Sequence, residues 1–237
     1  MIIQYTILAA ILLSGMIWST RGRKLTLAGA VCGGLIGLLV YAGAGFTGLA
    51  MMTVFFLMGT LATSWKRGWK QSKGIAEENK TGRTAGQVIA NAGVAALLAI
   101  CALIFPDNAE VFRLMMAAGF ASAAADTVSS ELGNVYGSRY YNILGFKRDA
   151  RGLDGVVSLE GSLWGIAAST VIAIVYATGF GWNKNMAVII VAGTVGNLVD
   201  SLLGATLERK HYLGNDGVNF LNTLAAAVAA LALLSIF

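Results

Sequence analysis

Charge is scarce in this chain. Asp, Glu, Lys and Arg make up 12% of its 237 residues, whereas a soluble domain carries about a quarter, so an ordinary water-soluble globule is excluded. Proline occurs once, at Pro106 between two apolar runs, which makes it a loop residue and leaves the long runs free of a helix breaker. The two cysteines, Cys32 and Cys101, each stand alone in an apolar run. That excludes a disulfide framework and a thiolate metal site, and makes both packing residues. A single histidine, His211 beside Arg209 and Lys210, forms no metal cluster and reads as interfacial. No Walker A loop, no G-x-S-x-G elbow and no H-E-x-x-H helix is present, which removes three large enzyme classes.

What the chain has instead is apolar length. Hydrophobic residues make up 57%, mean hydropathy is +0.70, and several runs reach the roughly 18–20 residues needed to cross a bilayer. The short alternating segments of a membrane barrel are missing. The expected fold is therefore all-α, a polytopic membrane bundle of about eight helices near 2–18, 25–42, 46–64, 85–104, 110–136, 156–178, 185–207 and 218–236. One transmembrane domain spans 1–237, with spans one to four and a basic loop at 65–84 in 1–104, and spans five to eight in 105–237. Thirty glycines fit close helix contact, as in Gly29-x3-Gly33-x3-Gly37. The first run, Ile2 to Trp18, has no basic leader before it and ends at Arg21-Gly22-Arg23-Lys24, which reads as a retained span rather than a cleaved signal.

Eight spans divide the loops between two sides. Fifteen of the 17 Lys and Arg residues fall on one side, leaving Arg113 and Lys184 on the other. The positive-inside rule makes the basic side cytoplasmic and puts both termini outside. The net charge of +5 is then a topology signal and calls for no nucleic-acid partner. The stretch from Lys66 to Arg83, with Glu77, Glu78 and Asn79 inside it, reads as a solvated, mobile cytoplasmic loop. Trp65, Trp69, Tyr140, Tyr141 and Trp182 suit an interfacial aromatic belt.

Two acids interrupt the apolar runs, Asp126 after three alanines and Asp200 within Asn197-Leu-Val-Asp-Ser-Leu-Leu-Gly204. An acid near the bilayer centre costs about 2.5–3.5 kcal/mol on insertion scales and by default marks function. Each acid helix is followed by a basic loop, a G-x-D-G-V-type turn (Gly152–Val156, Gly214–Val218) and a returning helix, a weak parallel repeat in the C-terminal half. At 100° per residue, Gly193, Gly196, Asn197, Asp200 and Gly204 share one stripe, and Asp126, Ser129, Ser130, Gly133 and Asn134 another; Glu131 lies about 140° from Asp126. Asp200 lies about 14 Å and Asp126 about 20 Å from the basic end of their helices, so the acids descend from the cytoplasmic face beneath the basic loops.

That pattern suits an anionic polyphosphate with a divalent metal. Carboxylates and amides hold Mg²⁺ together with substrate phosphates. Lys147, Arg148 and Arg151 can bind phosphate oxygens, and the turns at Gly152, Gly155 and Gly217 can offer backbone N–H groups. Each element also has a structural reading: Asp126 and Asp200 as interhelical hydrogen-bond partners, Asp154 and Asp216 as helix N-caps, Glu160 as a helix-dipole partner, and the basic trio as topology signals alone.

In order along the chain, Asp126-Thr127-x3-Glu131-Leu132-Gly133, Gly152-x-Asp154-Gly155-x2-Ser158-x2-Gly161, Asp200-Ser201-Leu202-Leu203-Gly204-Ala205 and Asn215-x3-Asn219 resemble the motifs of the phytyl-phosphate kinase and transmembrane protein 19 family. The resemblance implies an integral membrane prenyl-phosphate kinase that uses a nucleoside triphosphate, CTP above all, to convert an isoprenoid monophosphate such as phytyl phosphate to the diphosphate. On that basis Asp126, Glu131 and Asp200 are the expected catalytic residues. Asp126, Glu131, Asp200 and Asp216 are the expected Mg²⁺ ligands. Phosphate and nucleotide are expected at Lys147, Arg148, Arg151, Gly152, Asp154, Gly155, Asn134, Asn197, Asn219 and Asn222. The competing expectations are a CTP-dependent lipid-phosphate nucleotidyltransferase and a cation-coupled membrane transporter.

Overall fold

A computed structural model describes residues 2–76 and 82–236 of the chain; Glu77, Glu78, Asn79 and Lys80 of the basic loop lie outside the described residues. Helices dominate: α1 (Ile2–Arg21), α2 (Leu27–Ser64), the short α3 (Arg67–Ser72), α4 (Ala85–Ile104), α5 (Ala109–Tyr136), α6 (Leu159–Phe180), α7 (Asn185–Leu203) and α8 (Asn215–Leu234). A single 3₁₀ turn at Pro106–Asn108 joins α4 to α5, and a π-helical turn at Gly204–Glu208 extends α7. The only strands among the described residues, β1 (Tyr141–Asn142) and β2 (Val156–Val157), pair antiparallel at the ends of the α5–α6 connection.

Among the described residues, seven helices are long and apolar enough to cross a membrane, and one of them is long enough to cross twice. A straight α2 of 38 residues would extend about 57 Å, nearly double the roughly 30 Å hydrocarbon core. It breaks instead at Gly45, whose φ of 63° and ψ of −157° lie where only glycine is comfortable. The two arms, 27–44 and 46–64, fold back on each other: a side chain at Gly37 would lie 3.6 Å from Leu49 Cδ1, and Lys24 Nζ donates to Ser64 Oγ at 3.0 Å. The expected second and third spans are these arms, which gives the bundle enough apolar segments for eight crossings.

The centre of the bundle is α5. Its run Leu114–Ala125 is buried without a gap, because Ala, Gly and Met let α2, α4, α6, α7 and α8 all pack against it. Helix α1 stands apart: only Leu8 and Ser19 are buried on it, and its contact is with α2. The Gly29–Gly37 stripe works in packing, since added side chains there would strike the Arg83 carbonyl at 2.6 Å and Leu12 at 2.8 Å.

Loop contacts sort the two ends as the eight-span expectation requires. Leu25 bridges to Arg83, and Arg209 reaches Asp149 and Asp154, so the basic loops gather at one end. At the other, Arg113 donates to the Gly43 carbonyl at 2.9 Å and lies over the Phe180 ring.

The Lys66–Arg83 stretch is not simply a solvated loop. Lys66 enters α3 in the left-handed region, and α3 turns Lys70 inward to 1% exposure. Its ammonium donates to the Ala62 and Thr63 carbonyls in the last turn of α2 at 3.1 and 2.9 Å and forms an ion pair with Glu131. Burial is tolerated because three acceptors replace water.

Candidate active site

Small residues bring the two acids together. A side chain at Gly193 would lie 2.7 Å from Ser169 Oγ and 2.8 Å from Ala121 Cβ; one at Gly196 would overlap Ser122 Oγ and lie 2.8 Å from the Asn222 carbonyl. With no Cβ at these positions, α7 closes on α5, α6 and α8, and Asp126 and Asp200 line one polar cavity. Asn222 Nδ2 donates to Asp200 at 2.6 Å, and Ser122 Oγ donates to Asn222 Oδ1 at 3.1 Å. Ser129 Oγ likewise donates to Asn197 Oδ1 at 3.2 Å. Each amide is thus oriented by a hydroxyl behind it.

The roof is the α5–α6 connection. Gly152 and Gly155 have φ of +81° and +69°, which turn the chain over the acids at little steric cost. Gly155 rides directly on the π turn: a Cβ there would fall 2.3 Å from Ala205 Cβ. Arg209, just past that turn, fastens the roof through the Asp154 carbonyl at 2.6 Å and Asp149 at 3.0 Å. The Ala150 backbone N–H, then Arg209 and Asn142, hold the Asp149 carboxyl below its ordinary range. π turns recur at functional sites because they re-aim side chains; here the turn carries Glu208 into the cavity.

Beneath the roof lies a polar cavity of about 200 Å³, lined by Asp126, Asn134, Asp154, Asn197, Asp200 and Glu208. A second, of about 440 Å³, shares Asp126, Asn134, Asp154 and Glu208 and adds Arg83, Gln87, Asn91 and Asn219 from the α4 and α8 side. Together they form one funnel with Asp126 on the wall common to both.

Of the expected residues, Asp126, Asp200, Asn134, Asn197, Gly152, Asp154 and Gly155 line the first cavity, Asn219 the second, and Asn222 stands behind Asp200. Glu131 borders the second cavity, but its carboxylate is paired with Lys70. Asp216 is exposed beside Gly86 near the start of α4 and lines neither cavity. Lys147 and Arg148 are exposed on the hairpin, and Arg151 is stacked between Trp69 and Tyr140, so the basic trio lies away from the funnel's lining.

The N-cap expectation also changes. Ser158 caps α6 and Gly214 precedes α8, so Asp154 and Asp216 cap neither. Gly214 has φ of −89°, so the second glycine motif opens a helix where the first makes a left-handed turn. The repeat is one of sequence, not of backbone conformation. Arg83, Gln87, Asn91 and Lys70 went unrecognised in the sequence; a polar pair at Gln87 and Asn91, one helical turn apart, was the available signal for α4.

The residues fit a divalent cation, though not as a ready-made cage. Two carboxyls in the lining of one cavity give oxygen donors of the kind Mg²⁺ takes, one or two carboxylates with substrate phosphates and water as its other ligands. Among the described residues, no three His, Cys, Asp or Glu side chains cluster to hold a metal. The expected set of four acids is brought together only as the pair Asp126 and Asp200.

Comparison with known proteins adds a family. Residues 9–227 match the family described as integral membrane protein DUF92. The chloroplastic protein VTE6 of Arabidopsis thaliana is 33% identical over 204 residues, 83% of this chain and 61% of that protein. An uncharacterized membrane protein of Synechocystis is 32% identical over 82% of this chain and 77% of its own length. One of Methanocaldococcus jannaschii is 30% identical over 88% and 85%. The chain therefore spans about three fifths of the plant protein. No solved structure matches.

Proposed function

We propose, from the premise that this chain belongs to the integral membrane protein family DUF92, that it is a membrane prenyl-phosphate kinase. It transfers the γ-phosphate of a nucleoside triphosphate, CTP by the resemblance of its motifs, to an isoprenoid monophosphate such as phytyl phosphate. The observation that carries this reading is the pairing of Asp126 with Asp200 in the lining of one polar cavity roofed by two left-handed glycines.

Asp126 and Asp200 would hold Mg²⁺, which neutralises triphosphate charge and lets an anionic nucleophile approach. The roof turn at Gly152–Gly155 presents backbone N–H groups to phosphate oxygens. Asn197 and Asn134 orient the ligand, and Asn222 keeps Asp200 aimed into the cavity. An oxygen of the acceptor phosphate attacks the γ-phosphorus as the bond from that phosphorus to the β–γ bridging oxygen breaks. Prenyl diphosphate and nucleoside diphosphate leave. The attacking oxygen is already anionic, so the chemistry asks for positioning more than for a protein base. The clustered basic loops support a site that opens on the cytoplasmic face, where nucleotide is available.

Purified protein incubated with prenyl monophosphates, Mg²⁺ and each of the four nucleoside triphosphates tests this by mass spectrometry. The expected product is the prenyl diphosphate with label from the γ-phosphate. Pyrophosphate release with the nucleotide joined to the lipid would replace the kinase with a nucleotidyltransferase.

A further inference from the structure

An apolar cavity shares part of its wall with the polar funnel. A cavity of about 290 Å³ lies between α1, the α2 hairpin and the first turns of α4. Its walls are apolar, with Leu12 and Met16 from α1, Leu49, Met52 and Phe56 from α2, and Val88 from α4. Its basic end is closed by Arg83, Gln87 and Asn91, and those same three residues line the larger polar cavity with Asp126. The wall from Ile11 to Ser19 makes this groove about 12 Å deep along the helix axis.

Arg83 sits where the two meet. A Cβ at Gly59 would lie 3.2 Å from both of its terminal nitrogens and 3.5 Å from Thr127 Cγ2, so glycine makes room for the guanidinium one residue from Asp126. The Arg83 guanidinium has no carboxylate partner among the described residues. A half-buried cation in membrane surroundings is costly unless an anion joins it. Gln87 accepts the Thr84 N–H through Oε1 at 3.0 Å, which leaves its amide N–H₂ as a donor. A donor-rich cationic end to an apolar slot, built of residues that also line the cavity of Asp126, is the complement of an amphiphile with an anionic phosphate head and a hydrocarbon tail.

We propose that this groove is the lipid acceptor's site, with the phosphate of a single-chain isoprenoid monophosphate held by Arg83 and Gln87 and its tail laid between α1 and the α2 hairpin. This rests on the kinase reading for the identity of the lipid, while donor phosphates occupy the acid-lined side of the funnel. Gly15 supplies the space: no atom lies within 4 Å of where its Cβ would be.

The test is photolabelling in detergent or nanodiscs with phytyl monophosphate carrying a diazirine on its tail, followed by peptide mapping, with binding and turnover measured separately. Label is expected on α1 and the second arm of α2, competed by unlabelled prenyl monophosphate and far less by the alcohol. Arg83→Gln should weaken monophosphate binding about tenfold or more while leaving alcohol binding unchanged. Gly15→Leu, which favours the helix, should fill the slot and abolish labelling in a folded protein. A separate apolar crevice between α2, α5 and α6, lined by Leu61, Trp65, Leu132, Ala167 and Val171, provides the control, and Ala167→Phe there should change nothing. Label confined to Trp65, Ala167 or Val171, or unaltered binding in both groove variants, overturns the assignment even if turnover persists. Groove labelling without phosphoryl transfer upholds the site and defeats the kinase reading instead.

Discussion

Lys70 and Glu131 form a buried ion pair that ties the short helix α3 to the basic end of the central helix α5. Lys70 is 1% exposed and Glu131 9%, so neither charge is satisfied by water. The pair engages one of the acids expected to bind metal and gives it a structural partner. Removing one member strands the other charge, at about 3–5 kcal/mol for a buried pair, whereas replacing both with apolar groups is often neutral. Lys70→Met should therefore lower stability by about that amount in a detergent unfolding assay, and Lys70→Met with Glu131→Leu should recover a large part of it. A double variant no more stable than the single one would show that the carbonyl contacts, not the ion pair, hold α3.

Asp126→Asn and Asp200→Asn should each reduce phosphoryl transfer by about a hundredfold or more, because the amide keeps the shape and loses the charge. Both variants should insert and unfold like the parent protein. Full turnover in both would remove the acid pair from the reaction.

The two glycine motifs look alike in sequence and predict opposite mutational outcomes. Gly152→Ser, at the position that matches Gly214, must adopt φ of +81° with its Cβ 2.9 Å from Ile75 Cγ2 and should cost about 1–3 kcal/mol together with most activity. Gly214→Ser meets no atom within 4 Å of its Cβ and places a favoured residue at the N-cap of α8, so stability should hold or rise. Thermal unfolding and turnover of the two variants side by side decide the matter; equal losses would restore the symmetric repeat.

The sequence carried the crossings and the floor of the site, and missed its side walls. Alternating basic loops required a turn near residue 45, and Gly45 makes it. Asp126 and Asp200 announced themselves by cost, and the stripe Gly193–Gly196–Gly204 told which face would be approached. Arg83 and Lys70 were hidden because the charge of their loop was already explained by topology, and nothing local reveals that Arg83 lies against Gly59 and Thr127. Lys147, Arg148 and Arg151 erred the other way. Their sequence position beside the glycine turn suggested the cavity, but the hairpin and the stacking on Trp69 and Tyr140 direct them elsewhere.

The Asp149–Arg209 contact gives the roof a pH dependence. The Asp149 carboxyl is held below its ordinary value of 3.8 by the Ala150 N–H first, and by Arg209 and Asn142. A carboxylate with a depressed folded pKa stabilises the fold above its unfolded pKa and loses that contribution as pH falls through the folded one. Wild type and Asp149→Asn should thus differ most in melting temperature above about pH 4 and converge in stronger acid. A gap that widens on acidification would contradict the sign.

Orientation is the last point open to direct measurement. Among the described residues, Arg113 and Lys184 are the lone basic residues of one end, against fourteen at the other, and translocating the richer end would oppose the rule that Lys and Arg remain in the cytoplasm. Leu144, on the hairpin at the basic end, and Trp182, between α6 and α7 at the opposite end, are both exposed, at 54% and 68%. After Cys32 and Cys101 are changed to alanine, a membrane-impermeant maleimide applied to intact cells should label Trp182→Cys. Leu144→Cys should react only after permeabilisation. The reverse pattern would turn the funnel outward, away from cytoplasmic nucleotide, and with it the proposed phosphoryl donor.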